Sequence, residues 1–288
     1  MKPPGFTYHD PSTLDELLSM MSSLEDARLL AGGQSLMPVL NMRLAHPEHV
    51  VDLNTVVGLD GVESTETGVL IGAMARQSTL ISADLVTSRL PVMAEALGWV
   101  GHFQTRNRGT LGGSLSHLDP AAELPAVALL HDAVLTVESQ TGSRTVPIAE
   151  WAEGYMTPNL TEHEVLTSIE FQTWSEPHGY AFEEYARRYG DFAIVAVGAL
   201  LAIRDGTITR AAVAVAGLQS TPSRLADVET SLVGQPAAAP TYAAAGELAR
   251  GHEAMTDSYF DGRYRQRLAG VLTARALQRA AARSGSER

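Results

Sequence analysis

The spacing of apolar positions changes period along the chain, and each change marks an element. Phe6–Tyr8 reads as a short strand. Leu14, Leu17, Leu18 and Met21 then recur at helical spacing, and Ser12 or Thr13 ahead of Asp15 and Glu16 makes a capping-box start. Arg28–Ala31 is a strand running straight into Gly32–Gly33. Met37–Arg43 fits a helical turn or two, and His49–Leu53 is a further strand. Together these predict a small β-α-β-like unit ending near residue 57.

Beyond Gly58, Val69–Ile71 reads as a strand broken by Gly72. Thr79–Val86 and Pro91–Trp99 carry helical patterns, with Pro91 suited to a first turn. A turn-rich stretch, Gly101–Pro120, leads to a helix at Ala121–Leu130. Ala133–Ser139 and Arg144–Ile148 pair as a hairpin, and Val165–Phe171 alternates as a strand. Trp174–Gly179 looks like a linker. After it come three β-like runs, Tyr180–Ala186, Phe192–Arg204 and Thr207–Gly217, with Asp205–Gly206 turning the last pair. Helices are predicted at Ser223–Leu232, Pro240–Gly251 and Tyr264–Arg283. No internal repeat is visible.

Composition narrows the chemistry. The 288 residues are 45% hydrophobic and 19% charged, as in ordinary globular chains. The longest apolar run, Phe192–Ile203, is too short to span a bilayer and reads as a buried strand. The N-terminus, MKPPGFTYHD, has no apolar signal core, so a cytoplasmic location is expected. A net charge of −12 argues against a nucleic-acid partner. With no cysteine, the chain has no disulfide, no thiolate nucleophile and no cysteine-ligated iron–sulfur cluster. Any redox role needs an organic cofactor, or centres on another chain.

Two stretches stand out, LAGGQSLMP (residues 30–38) and RGTLGGS (108–114). Each sets paired glycines beside a hydroxyl residue, and successive amides in such a loop form a concave anion site. Gly32, Gly33, Gln34, Ser35 and Leu36 present one such nest. Thr110, Leu111, Gly112, Gly113 and Ser114 present a second, and two facing nests would clamp a pyrophosphate. Neither loop is GxGxxG after a strand or GxxxxGK[ST], and a single Gly-Gly pair is otherwise only a turn. Asp119 and Pro120 suit the N-cap and first turn of the following helix. Ser116, His117 and Asp119 lie close in sequence, but no GxSxG elbow accompanies them. His46 and His49 read as loop histidines.

LAGGQSLMPVLNMRLAHPEHVVDLN, TRNRGTLGGSLSHLDPAAELPAVAL and RRYGDFAIVAVGALL closely resemble the FAD-binding medium subunit of molybdenum hydroxylases, the xanthine dehydrogenase and aerobic carbon monoxide dehydrogenase group. The resemblance runs in order along almost the whole chain. It implies an α+β fold, with a two-part FAD-binding domain of the vanillyl-alcohol-oxidase/PCMH type in residues 1–57 and 58–176. Residues 177–288 would be a C-terminal domain with a three-stranded antiparallel sheet and a helical bundle.

The resemblance further implies an oxidoreductase flavoprotein with FAD as cofactor. Its partners would be a small [2Fe–2S] subunit and a large molybdenum-cofactor subunit, in a dimer of heterotrimers. Electrons would arrive from the [2Fe–2S] clusters and leave to NAD⁺, a quinone or oxygen. No side chain of this chain need act as acid, base or nucleophile. By the same resemblance, the backbones of Gly32–Leu36 and Thr110–Ser114 bind the phosphates, and Arg106 and Arg108 flank the second loop. Gly101 lets the flavin approach, or caps the helix before it. Glu123 takes ribityl or ribose hydroxyls, or simply suits a helix start. The Leu166 backbone touches the ring. Glu183 stands where relatives often carry Lys, with Arg187 or Arg188 as substitutes after a register slip. Phe192 covers the ring, or belongs to the core. The rival class is a free-standing FAD oxidase or reductase of the vanillyl-alcohol-oxidase fold, for which a C-terminal region of roughly 110 residues is small. A non-enzymatic nucleotide-binding scaffold is the third.

Overall fold

The computed structural model describes residues 2–284. The first unit comprises β1 (Thr7–His9), α1 (Leu14–Ser23), β2 (Ala27–Leu30), α2 (Leu36–Asn41) and β3 (His49–Asp52). Its sheet is parallel, in the order β1-β3-β2. Thr13 caps α1 by accepting from the Glu16 amide at 3.2 Å, and Glu16 reaches back to the Ser12 amide at 2.9 Å. Leu17, Leu18 and Met21 of α1 pack with Val51 and Leu53. The helical stripe is thus buried against the sheet.

The second unit runs β4 (Val62–Ser64), β5 (Gly68–Gly72), α3 (Gln77–Leu80), α4 (Asp84–Arg89), α5 (Pro91–Leu97), α6 (Phe103–Arg108), α7 (Leu111–His117), α8 (Glu123–Leu130), β6 (Val134–Ser139), β7 (Gly142–Pro147), β8 (Ala152–Gly154), β9 (Thr157–Pro158) and β10 (Val165–Gln172). Its five-stranded sheet is antiparallel, ordered β4-β5-β10-β6-β7. The stretch predicted as turns holds two short helices, α6 and α7. α8 starts later than predicted, at Glu123 with Ala122 as N-cap. Asp119 instead turns the chain before the helix, accepting from the Ala121 amide at 2.8 Å, while the Pro120 carbonyl accepts from Gly217 at 2.7 Å. Every residue of α8 is buried, as its unbroken apolar sequence requires.

The third unit comprises β11 (Gly179–Tyr185), β12 (Val195–Arg204), β13 (Thr207–Ala216), β14 (Ser223–Arg224), α9 (Ala226–Leu232), α10 (Ala239–Arg250) and α11 (Gly262–Ser284). Its antiparallel sheet has four strands, not three. β14 is only two residues long and sits where a helix start was predicted. Arg224 pins it by donating to the Leu129 carbonyl at 2.7 Å and to Glu229 at 2.9 Å. Ala196 and Leu200 face the second unit, while Val195, Val197 and Leu201 face α10 and α11. Burial on both faces explains the unbroken apolar run of β12.

A charged seam joins the units. Glu95 of α5 accepts from Arg279 and from Arg283 (2.8 Å), both on α11, and from the Phe182 amide at 3.3 Å. Among the described residues no helix is long and apolar enough to cross a membrane.

Candidate functional site

The first glycine loop leaves β2 at its C-terminal end and enters α2. Gly33 has φ +71°, a conformation that side chains other than glycine rarely adopt. The amides of Gly32, Gly33, Gln34, Ser35 and Leu36 meet no acceptor among the described residues. Loop order comes instead from carbonyls and side chains: the Gly33 carbonyl accepts from Met37 at 3.1 Å and the Gly32 carbonyl from Gln34 Nε2 at 3.2 Å. Five consecutive donors are therefore left for a ligand.

The second glycine stretch lies directly against the first. A Cβ on Gly32 would stand 2.9 Å from Gly109 Cα, and one on Gly113 would stand 3.6 Å from Ala31 Cβ. The expectation of free amides here is corrected for Leu111–Ser114, which open α7, while the amide of the N-cap Thr110 meets no acceptor among the described residues. Leu111 donates to Ala75 (3.0 Å), Gly112 to Ala73 (2.8 Å), Ser114 to the Thr110 carbonyl (3.2 Å), and Gly113 to Thr110 Oγ1 (3.1 Å). What this segment offers is the Thr110 hydroxyl proton, the Ser114 hydroxyl, and glycine backbone that a ligand can approach.

Two residues that sequence reasoning missed hold the loops together. Asn54, just past β3, donates Nδ2 to the Ala31 carbonyl at 3.0 Å. Arg76 donates to Asn54 Oδ1 and to the Arg108 carbonyl, bridging one loop to the other. Burial, followed by the charge of Arg108, lowers the Arg76 pKa. Two cations are thus concentrated beside the amides. No motif surrounds either residue in sequence; only the fold brings them together.

α6 leads away from this point to a second cluster. Gly101, at φ +47°, makes the bend into α6; α5 has already ended at Leu97, so Gly101 does not cap it. Arg106 holds the bend by donating to the Val100 and Gly101 carbonyls at 2.8 and 3.1 Å. The loop after β11 packs on the same segment: the Tyr189 hydroxyl donates to the Gly98 carbonyl at 2.7 Å, and a Cβ on Gly190 would stand 2.8 Å from His102 Nδ1. Phe192 sits in this loop, 67% exposed. It is therefore neither core nor part of β12, which starts at Val195. Phe103 and Tyr189 are exposed nearby.

Two carboxyls are buried in the fold. Glu123 heads α8, and burial raises its pKa to about 7. Glu184, on β11, is pushed to about 9 by burial and then by the charge of Glu123. Glu183 points to the opposite face of β11 and pairs with Arg279 of α11, so it does not join the cluster. Arg187 faces Asp191 at 3.9 Å and lies over the Tyr259 ring, while Arg188 makes no ion pair among the described residues. Leu166 is buried in β10, beside a register shift at Thr167. Ser116, His117 and Asp119 do not hydrogen-bond to one another. His49 pairs with His9 at 3.0 Å rather than with His46, and no metal-binding cluster occurs among the described residues.

The donor set fits a dinucleotide. Five unpartnered amides and two cations suit a diphosphate, carboxyls suit polyol hydroxyls, and exposed rings suit a flat heterocycle. Comparison with known proteins points the same way. The family described as FAD binding domain in molybdopterin dehydrogenase matches residues 4–174, and that described as CO dehydrogenase flavoprotein C-terminal domain matches residues 180–280. The chain is 34% identical over 283 residues to 6-hydroxypseudooxynicotine dehydrogenase complex subunit alpha of Paenarthrobacter nicotinovorans, covering 97% of this chain and 96% of that one. It is likewise 34% identical to the carbon monoxide dehydrogenase medium chain of Hydrogenophaga pseudoflava, covering 98% and 99%. A chain of the solved carbon monoxide dehydrogenase of Hydrogenophaga pseudoflava lacking the Mo-pyranopterin moiety superposes with a TM-score of 0.95 at 35% identity, covering 98% and 99%. The chain belongs to the FAD-binding medium-subunit family of the molybdenum hydroxylases.

Proposed function

We propose that this chain is the FAD-binding electron-transfer subunit of a molybdenum-containing hydroxylase or dehydrogenase. The observation that carries the reading is the row of five unpartnered amides, Gly32–Leu36, set against the Arg108–Ser114 backbone. In this reading the domains are 1–57, 58–176 and 177–288, the first two forming an FAD domain of the vanillyl-alcohol-oxidase type. A small [2Fe–2S] subunit and a large molybdenum-cofactor subunit are the partners, in a dimer of heterotrimers located in the cytoplasm. NAD⁺, a quinone or oxygen is the final acceptor.

Bound FAD supplies the conversion between one-electron and two-electron transfer. The residues of this chain bind and orient. Amides of Gly32–Leu36 hold phosphate oxygens, with Arg76 and Arg108 adding positive charge. The second segment contributes the Thr110 and Ser114 hydroxyls and, at Gly112 and Gly113, room for close approach. Glu123 accepts from polyol hydroxyls. Gly101 and the Leu166 backbone border the ring, and Phe192 covers its face and excludes water. Glu183 is assigned to the α11 seam rather than to the cofactor.

The test is reconstitution. The full-length chain titrated with FAD is expected to bind one equivalent and, purified alone, to oxidise no alcohol substrate. Co-expressed with iron–sulfur and molybdenum partners, it is expected to complete substrate-dependent electron transfer. Alcohol turnover by the isolated chain would identify a free-standing oxidase instead, and failure to bind FAD would overturn the reading.

A further inference from the structure

Phe192 is 67% exposed, so packing does not hold its ring. Its place is set by the backbone that carries it, the segment between β11 and β12. At the tip of that segment the Tyr189 hydroxyl donates to the Gly98 carbonyl of the second unit at 2.7 Å. At its end Arg265 of α11 takes hold, two residues beyond Phe192. Arg265 is 3% exposed. Its Nη1 donates to the Ile194 carbonyl and to the Gly217 carbonyl at 2.6 Å each, and its Nη2 donates to Asp257. One guanidinium thus joins the end of the Phe192 segment, the turn after β13 and the approach to α11.

The joint needs a forked donor. The chain passes Gly217 at φ +75°, and a Cβ there would stand 3.0 Å from the Ile194 carbonyl carbon. Ile194 and Gly217 are both buried, and no backbone amide among the described residues donates to either carbonyl. A buried carbonyl without a donor is costly, and Arg265 supplies both. Asp257 balances its charge and in turn accepts from the Tyr259 and Phe260 amides at 2.7 and 2.9 Å. The Arg187 guanidinium lies 5.4 Å from the Tyr259 ring centroid, so the start of the Phe192 segment leans on the same assembly. The Ile194 amide closes the base onto the Tyr185 carbonyl at 2.8 Å, and the Gly217 amide ties the joint to Pro120 of the second unit at 2.7 Å.

Resting on the FAD reading, in which Phe192 covers the ring, we propose that Arg265 is a positioning residue that sets Phe192 over the flavin and thereby controls how fast oxygen reaches the reduced cofactor. It is buried behind the segment, so it acts through that backbone and not by touching the cofactor. A lysine keeps the charge opposite Asp257 but replaces the fixed fork by a single nitrogen. The Ile194 end then loosens, and Phe192 no longer stays over one face.

The experiment compares wild type, Arg265→Lys, Phe192→Ala and the double variant, each as the full-length chain. Hydrogen exchange on the FAD-free chain reads the joint. In Arg265→Lys the Ile194 and Gly217 amides should exchange about tenfold faster, the scale of one hydrogen bond to a charged group, while amides of β6 and β10 keep wild-type rates. Reoxidation of the photoreduced, FAD-loaded chain by oxygen reads the ring: two electrons and two protons pass to oxygen, giving hydrogen peroxide. Arg265→Lys should speed this step severalfold with FAD still bound. The double variant should be no faster than Phe192→Ala, because the residue through which Arg265 acts is already gone. Unchanged exchange at Ile194 and Gly217 would overturn the joint. A wild-type reoxidation rate in Arg265→Lys, or effects that add in the double variant, would overturn the positioning role and leave the FAD reading standing. If Arg265→Lys does not fold, Asp257→Asn, a change at a half-exposed carboxylate, decides: smaller shifts of both readouts in the same direction are expected, and wild-type values in both overturn the proposal. A wild type that binds no FAD would overturn the FAD reading, and the flavin role of Arg265 with it.

Discussion

Gly32→Ala probes the contact between the two glycine segments. The new Cβ would stand 2.9 Å from Gly109 Cα and 2.9 Å from the Arg108 carbonyl carbon, and closer still to that carbonyl's oxygen. All three atoms are backbone. They are held in place by Arg76, which donates to the Arg108 carbonyl, and by the Gln77 amide, which donates to the Gly109 carbonyl at 3.0 Å. The neighbour cannot swing aside as a side chain would, so the first loop must shift. Overpacking of this kind costs about 1–3 kcal/mol, and Tm should fall by about 2–4 °C per kcal/mol for a chain of this size. The shift also turns the Gly32–Leu36 amides away from the phosphates. Losing even one or two hydrogen bonds to a charged group, at about 1.5–3 kcal/mol each, should weaken FAD binding by about a hundredfold. The assay is FAD titration alongside thermal melts with and without FAD. Gly154→Ala is the control, since its Cβ would meet nothing within 4 Å; both readouts should stay at wild type. A Gly32→Ala protein with wild-type affinity would refute the close approach of the two segments as the basis of binding.

Three further perturbations test other parts of the account. The hydrogen bond from Arg144 holds Glu164 down to about 2. Its contribution to stability is therefore complete above about pH 4.5 and is lost as pH falls toward 2; urea midpoints between pH 6 and 3 should show a shallower acid loss in Glu164→Gln. Phe192→Ala removes an exposed ring, so stability should change by less than about 0.5 kcal/mol, while reoxidation of the reduced cofactor by oxygen changes severalfold. An unchanged rate would place Phe192 away from the flavin. Glu95→Gln weakens the hold on Arg279 and Arg283 and should cost about 1–3 kcal/mol in thermal or urea unfolding, with FAD affinity preserved in the folded protein.

Much of the fold was legible because burial imposes period. The stripe Leu14, Leu17, Leu18 and Met21 and the long run of β12 could hardly be read otherwise. β14 was not legible: two residues carry no period, and Arg224 is held by Leu129 and Glu229 through contacts remote in sequence. The stretch from Gly101 to Pro120 hid two helices because glycine and polar residues look like turns, yet Thr110 at the N-cap was the available signal. At the site, the glycine pairs drew attention to both loops, but sequence could not show that the second pair's amides are already bonded, Gly112 to Ala73 and Gly113 to Thr110 Oγ1. Asn54 and Arg76 escaped notice for one reason. Each works through partners that only the tertiary fold supplies, and for Glu183 against Glu184 a single step along a strand exchanges one face for the other.

The central claim is tested most directly by a structure of the chain, alone or in its complex, with FAD bound. The account predicts diphosphate oxygens about 3 Å from successive amides of Gly32–Leu36, with the Thr110 and Ser114 hydroxyls closing from the opposite side. A diphosphate held elsewhere, with those amides bonded to water or protein, would contradict it.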